Sequence, residues 1–247
     1  MAYFIYNFVH FKTIYIFILR LMEKLNIIKM LFNRIYYFLF VERFNKKLRL
    51  EFPPDIYRWD LIQHIIDKYN FKDYLEIGCD KNQSFSKIKI DNKIGVDPIE
   101  GGTIRSTSDQ FFDQNKNNFD IIFIDGLHHY SQVLKDINNS LKILNKNGFI
   151  LVHDCLPRSL AQQAVPRYRA SWNGDVWKAI VELRTKNNLN IFTSQIDFGV
   201  AIIQISENKK LLKLDINNFS KLKFKDYYYN YKEFMNILDY KDTLNKI

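Results

Sequence analysis

The sequence predicts an α/β fold, a doubly wound and mostly parallel sheet with helices on both faces, preceded by an N-terminal helical segment. Three observations predict it. Four apolar runs of strand length end in glycine or an acid, at Gly78, Asp97, Asp125 and Asp154. Stretches with helical spacing separate several of these runs, most clearly after Tyr130, and that alternation is what a parallel sheet covered on both faces requires. The chain has 247 residues, 47% of them hydrophobic, enough for one sizeable core. We divide it into a basic, aromatic helical segment (1–50), a main domain (51–207) and a peripheral helical tail (208–247).

Residues 1–50 are aromatic and apolar with cations scattered through them, nine Lys/Arg against Glu23 and Glu42. Lys12 and Arg20 interrupt one apolar stretch and Lys29 and Arg34 the next, so neither offers the roughly 20 uncharged residues of a spanning helix. No small-residue cleavage site follows, which argues against a removable signal peptide. Such a pattern suits helices lying in the headgroup region of an anionic leaflet, or equally a helical pair that caps the core or forms an oligomer interface. The overall charge of +9 resides mostly in this segment. The remainder is nearly neutral, so no nucleic-acid partner is expected. Cys79 and Cys155 show neither CxxC spacing nor a disulfide framework, which fits a reducing compartment. The expected location is cytoplasmic, on the inner face of the membrane if residues 1–50 bind it.

Pro53 and Pro54 end the first segment, and DIYRWDLIQHIIDKYN places Ile56, Leu61, Ile62, Ile65 and Ile66 on one helical face. The first strand, Tyr74 to Ile77, leads into EIGCDKNQSF, where Gly78 permits a tight turn and a following helix would offer its N-terminus to a ligand. Asp97 closes the second strand, placed to take the hydroxyls of a ribose. A G-x-G-x-x-G fingerprint is missing, since Asn82 stands where a second glycine would be. Glu76 and Asp80 are poor neighbours for a pyrophosphate. A nucleoside carrying a cationic sulfonium suits them better.

The ordered series LEIGCDKNQSF, GVDP, TSDQFF, FDIIFIDGLHHY, LNKNGFILVHDCLP, WNGDVWKAIVELR and DFGVAII resembles the class I S-adenosylmethionine-dependent methyltransferases, over about Tyr74 to Ile205. The resemblance implies a Rossmann-like sheet and S-adenosylmethionine as cofactor, with Glu76 and Gly78 beside the methionine part, Asp97 at the ribose, and Ser108 and Asp109 near the adenine. Within that family, Asp125-x-x-His128 followed by His153-Asp154 is similar to the metal-dependent sugar O-methyltransferases. By that likeness Asp125 and Asp154, with His153 as a third ligand, would hold Mg²⁺ or Mn²⁺, and His128 would take the acceptor's proton. His129 is expected to face solvent or pack locally.

After Asp154 the long stretch CLPRSLAQQAVPRYRASWNGDVWKAIVELR suggests a cover over a site. Trp172 could stack on a sugar face, Arg167 or Lys178 could meet an anionic group of the acceptor, and Trp177 and Ile180 read as helix core. The expected partner is a small-molecule or glycan acceptor. Two other readings stand beside this one: a nicotinamide-dependent oxidoreductase on a similar sheet, and a non-catalytic, membrane-associated binding protein of glycan assembly.

Overall fold

The computed structural model describes residues 25–247, and the part of the N-terminal reading that falls on 1–24 lies outside them. Residues 25–36 are helical (α1) and run into a π-helical turn, Tyr37–Val41. An extended stretch then crosses the body to α2, Arg58–Tyr69, which buries Leu61, Ile62, Ile65 and Ile66 as its spacing predicts. Asp60 closes the amino end by accepting from the Tyr57 N–H at 2.9 Å, and Asn70 ends the helix in the left-handed region. Among the described residues, no helix is long and apolar enough to cross a membrane.

The remaining elements are β1 (Asp73–Ile77), β2 (Asn92–Asp97), β3 (Ile104–Arg105), α3 (Ser108–Gln114), β4 (Phe119–Ile124), α4 (Tyr130–Ile143), β5 (Leu144–Val152), α5 (Leu160–Gln163), α6 (Trp177–Leu183), β6 (Leu189–Ser194), β7 (Val200–Ile205), α7 (Phe224–Met235), β8 (Ile237–Leu238) and α8 (Tyr240–Lys246). The sheet order is β3-β2-β1-β4-β5-β7-β6-β8. Its first five strands are parallel, β7 runs antiparallel to both its neighbours, and β8 is parallel to β6. Strand side chains alternate between faces. In β4, Ile122 and Ile124 join the larger apolar cluster with Trp177, while Ile121 and Phe123 join the one beneath α2. Both faces are therefore covered, which is why these strands are apolar nearly throughout. The order reverses between β1 and β4, and at such a switch point the crevice at the strands' carboxyl ends is open to a ligand.

Two expectations need correction. No helix follows Gly78: residues 80–87 form consecutive turns. Asp80 and Asn82 adopt left-handed backbone, φ 44° and 61°, and the Asn82 side chain accepts from the Gly102 N–H at 2.7 Å, so the segment is tied to the loop after β2 instead of coiling. The tail is not peripheral. Phe224, Tyr227, Phe234 and Met235 of α7 enter the main core, and β8 extends the sheet beside β6. Lysines and tyrosines surrounding those positions masked an apolar stripe of helical period.

Candidate active site

Gly78, at the end of β1, has φ +86°, and a Cβ there would lie 2.3 Å from the Asp125 carbonyl oxygen. Only glycine lets the ends of β1 and β4 come this close. Two cavities meet at this point, one of about 580 Å³ and one of about 500 Å³, and Gly78, Asp80 and Asp125 line both.

The smaller cavity lies over the ends of β1 and β2. Ile77, Val96, Ile99 and Leu127 give it apolar walls, and Asp97, Ser108 and Asp109 border it. Asp97 accepts from four backbone N–H groups, those of Cys79, Asp80, Ile99 and Glu100, at 2.8–3.1 Å. Its burial opposes ionisation, but these amides outweigh it and hold the carboxyl below its ordinary range. Asp97 thus locks the two loops that shape the cavity. Ser108 starts α3, and Asp109 pairs with Lys135 at 2.7 Å. Asp136, which the sequence did not single out, is buried at the same wall and is pushed up to about 6 by that burial.

The larger cavity holds the cluster of acids and imidazoles. Asp125 Oδ1 lies 3.3 Å from His128 Nε2 and 3.0 Å from His153 Nδ1, and His128 Nδ1 lies 3.2 Å from Asp154 Oδ2. His153 Nε2 is 2.7 Å from the Asp197 carbonyl oxygen, which only accepts. Burial opposes charge on His153, but Asp125 and Asp154 outweigh it and raise its pKa well above the ordinary value. The Nε2–H donates to the Asp197 carbonyl, so this nitrogen offers no lone pair to a metal, and Nδ1 faces Asp125. The sequence reads His153 as the third residue of a metal group, and the structure sets His128 beside the same two acids. One oxygen each of Asp125 and Asp154 and one His128 nitrogen all lie within 4.8 Å of one another.

His128 Nδ1 is buried without a hydrogen-bond partner, although such atoms ordinarily find one. Burial opposes protonation of His128, and the two acids reverse this and raise its pKa. Asp125 behaves oppositely: burial disfavours its charge, but His153 and His128 hold the carboxyl far below its usual range. Burial prevails at Asp154 and raises it. Asp154 also has left-handed backbone, φ 59°, and accepts from Asn173 Nδ2 at 2.8 Å. Strained, buried acids of this kind gather at functional sites.

Sequence reading missed two charged neighbours. Arg58, at the start of α2, lies 2.8 Å from Asp197 and 3.6 Å from Asp125. Asp197 is brought down to about 2, since His153 and Arg58 more than offset its burial. Asp197 opens the DFGVAII motif and Arg58 lies in the α2 stretch, but neither closes an apolar run, so neither stands out as a site residue. Glu76, buried on β1, is lifted by that burial to about 7, against the hydrogen bond donated by Tyr74.

The WNGD stretch braces the cluster. Gly174 has φ +65°, and a Cβ there would lie 1.8 Å from the His128 carbonyl oxygen. Asp175 accepts from the Tyr130 N–H at 2.7 Å, capping α4 and leaving Asp125 free of that task. Trp172 stacks on His128 at 5.3 Å and lines the cavity, while His129 packs edge-on against the same indole. Trp177 and Ile180 are fully buried. Lys178 is bound to Asp175 and the Ser220 carbonyl and does not line the cavity, so it is not available to an acceptor. The Arg167 guanidinium lies over Trp172 at the rim.

The sheet order and its antiparallel seventh strand define a Rossmann-like methyltransferase fold. Residues 70–155, which contain every cofactor, catalytic and metal residue read from the sequence, match the family model described as a methyltransferase domain. The chain is also 29% identical to an uncharacterized protein of Acanthamoeba polyphaga mimivirus, over 38% of this chain and 56% of that protein, and so spans about half the relative's length. Similar solved structures include an S-adenosylhomocysteine-bound methyltransferase of Podospora anserina (14% identity, TM-score 0.46, 61% of this chain and 78% of that one). Another is an O-methyltransferase of Bacillus cereus in complex with the same product (10%, 0.44, 73% and 90%).

Proposed function

We propose that the chain is an S-adenosylmethionine-dependent O-methyltransferase acting on a hydroxyl of a sugar or glycan, assisted by a divalent ion. One observation carries the reading: the group of half-buried Asp125 and His128 with buried Asp154 stands where an apolar cavity of nucleoside size meets a polar one. In this assignment the smaller cavity takes the adenosyl group, with Ile77, Val96, Ile99 and Leu127 against the base and Asp97 and Asp136 as acceptors. S-adenosylmethionine supplies the electrophilic methyl on a sulfonium, which the carboxylates of Asp80 and Asp125 favour by charge. Trp172 offers an aromatic face to the acceptor in the larger cavity, and Asn173 and Arg58 offer donors. Stacking between an indole and a sugar face, with polar groups at its edge, suits a saccharide.

The His128 ring lies between two carboxylates, and its Nδ1 faces Asp154 at 3.2 Å without a hydrogen bond, which fits a divalent ion; an imidazole among the donors favours Mn²⁺ over Mg²⁺. Such an ion would lower the pKa of a coordinated hydroxyl. His153 and His128 favour the ionised form of Asp125, and Arg58 lies 3.6 Å from it. A second reading rests on the contact between Asp125 and His128 at 3.3 Å: without metal, Asp125 orients the ring and His128 accepts the acceptor's proton directly.

The test starts with calorimetry of the purified chain against S-adenosylhomocysteine and NAD⁺. Binding of NAD⁺ alone would end the methyltransferase reading. Methyl transfer from labelled cofactor to a glycan extract, with and without EDTA, then separates the two mechanisms. Transfer that ignores EDTA removes the metal.

A further inference from the structure

The described part of the N-terminal segment forms a second surface, remote in chemistry from the acid cluster. Of the eighteen exposed large apolar side chains among the described residues, ten fall between Leu25 and Phe40, including Ile27, Phe32 and Phe40 at 65%, 66% and 73% exposure. Apolar density of this kind marks an interaction surface. Beneath it the chain is anchored firmly. Tyr37 is buried and accepts a hydrogen bond from Gln163, Glu42 accepts from the backbone N–H groups of Phe224 and Lys225, and Phe44 packs on Phe224 and Tyr228. The exposed face is therefore presented by a fixed platform.

We propose that this face docks on an anionic lipid bilayer and turns the mouth of the larger cavity toward it. Charge selects the partner. Within 25–50 the cations are Lys29, Arg34, Arg43, Lys46, Lys47 and Arg49, and Glu42 is the one acid. Pairing with a second copy would bring these cations together, whereas a layer of lipid phosphates neutralises them. A cavity of about 480 Å³ opens beside it, lined by Arg34, Arg43, Glu42, Tyr168 and Phe44. Glu42 is engaged by the Phe224 and Lys225 amides, which leaves the two guanidiniums to suit a phosphate headgroup.

The orientation follows from a short series of contacts. Asn33 donates to the Arg167 carbonyl at 2.8 Å, Arg167 covers Trp172, and Trp172 lines the acceptor cavity and stacks on His128. An acceptor whose sugar is carried on a lipid would then meet the site without leaving the bilayer surface. Docking itself does not rest on the methyltransferase assignment.

The experiment is co-sedimentation of the full chain with phosphatidylcholine vesicles, with and without phosphatidylserine, at low and high salt. The chain should pellet with the anionic vesicles and be released by salt. Arg34→Gln with Arg43→Gln, and separately Phe32→Ser with Phe40→Ser, should each weaken partition by on the order of 10-fold or more. Unaltered melting temperature and S-adenosylhomocysteine affinity would show that both double variants fold. Equal pelleting with neutral vesicles, no pelleting, or pelleting unchanged in both variants overturns the proposal. So does a dimer that Phe32→Ser with Phe40→Ser abolishes in a chain that ignores vesicles. A chain that binds anionic vesicles but no S-adenosylhomocysteine would keep the docking surface and lose the methyltransferase reading.

Discussion

The two cavities that meet at Gly78 are similar in size but opposite in construction. In the smaller one nearly every polar group near the apolar wall has a partner, as the four amides on Asp97 illustrate. In the larger one the polar groups are compressed together and incompletely satisfied. Asp154 is strained, Glu76 is lifted to about 7, and one His128 nitrogen faces Asp154 at 3.2 Å without a hydrogen bond. The first is a shape held ready for a ligand. The second crowds acids and imidazoles that a cation or a reacting hydroxyl would separate, and the proposed function rests on that difference when it gives binding to one and chemistry to the other.

The sharpest way to break this division is His128→Ala. Turnover should fall by about 10²–10⁴-fold with S-adenosylhomocysteine affinity intact, and His129→Ala should change little. Calorimetry and initial rates on both variants check it. Equal losses in the two would return the cluster to a packing role.

The next effect concerns stability. Glu76 has a folded pKa of about 7 against an ordinary 4.5, so the folded state holds a proton that the unfolded state releases between those values. Stability therefore falls as pH rises through that window. Glu76→Gln, which stays neutral and can still accept from Tyr74, should melt higher than the parent above pH 7, by up to about 3 kcal/mol. The advantage should fade toward pH 4.5. A difference independent of pH would show that Glu76 is not protonated in the fold.

Asp97→Ala should cost about 1–3 kcal/mol, for loss of its contacts with backbone amides. Measuring both melting temperature and cofactor affinity sharpens the comparison. A lower melting temperature with unchanged affinity would confine Asp97 to bracing the loops, and a parallel loss of affinity would give it the ribose as well. The smallest effect is that of Trp172→Ala, expected to weaken acceptor binding by about 0.5–1.5 kcal/mol. It should appear in the KM for the acceptor and not in cofactor affinity. The reverse pattern would exchange the roles of the cavities.

The sequence by itself determined the parallel core of the sheet, because strands buried on both faces must be apolar and the polar residues that end them stand out against that background. Asp97, Asp125 and Asp154 were visible for this reason, and α2 through its period. Tertiary structure decided which groups meet. Arg58 and Asp197 are 139 residues apart and share an ion pair, yet each reads locally as an ordinary surface charge. The different surroundings of His128 and His153 were equally hidden, because a carbonyl of the loop before β7 accepts from the His153 ring and not from the other. The turns after Gly78 and the edge strand β8 were also out of reach. Both are fixed by distant partners, the loop after β2 and strand β6, and short segments carry too little periodicity to declare a state that only those partners enforce.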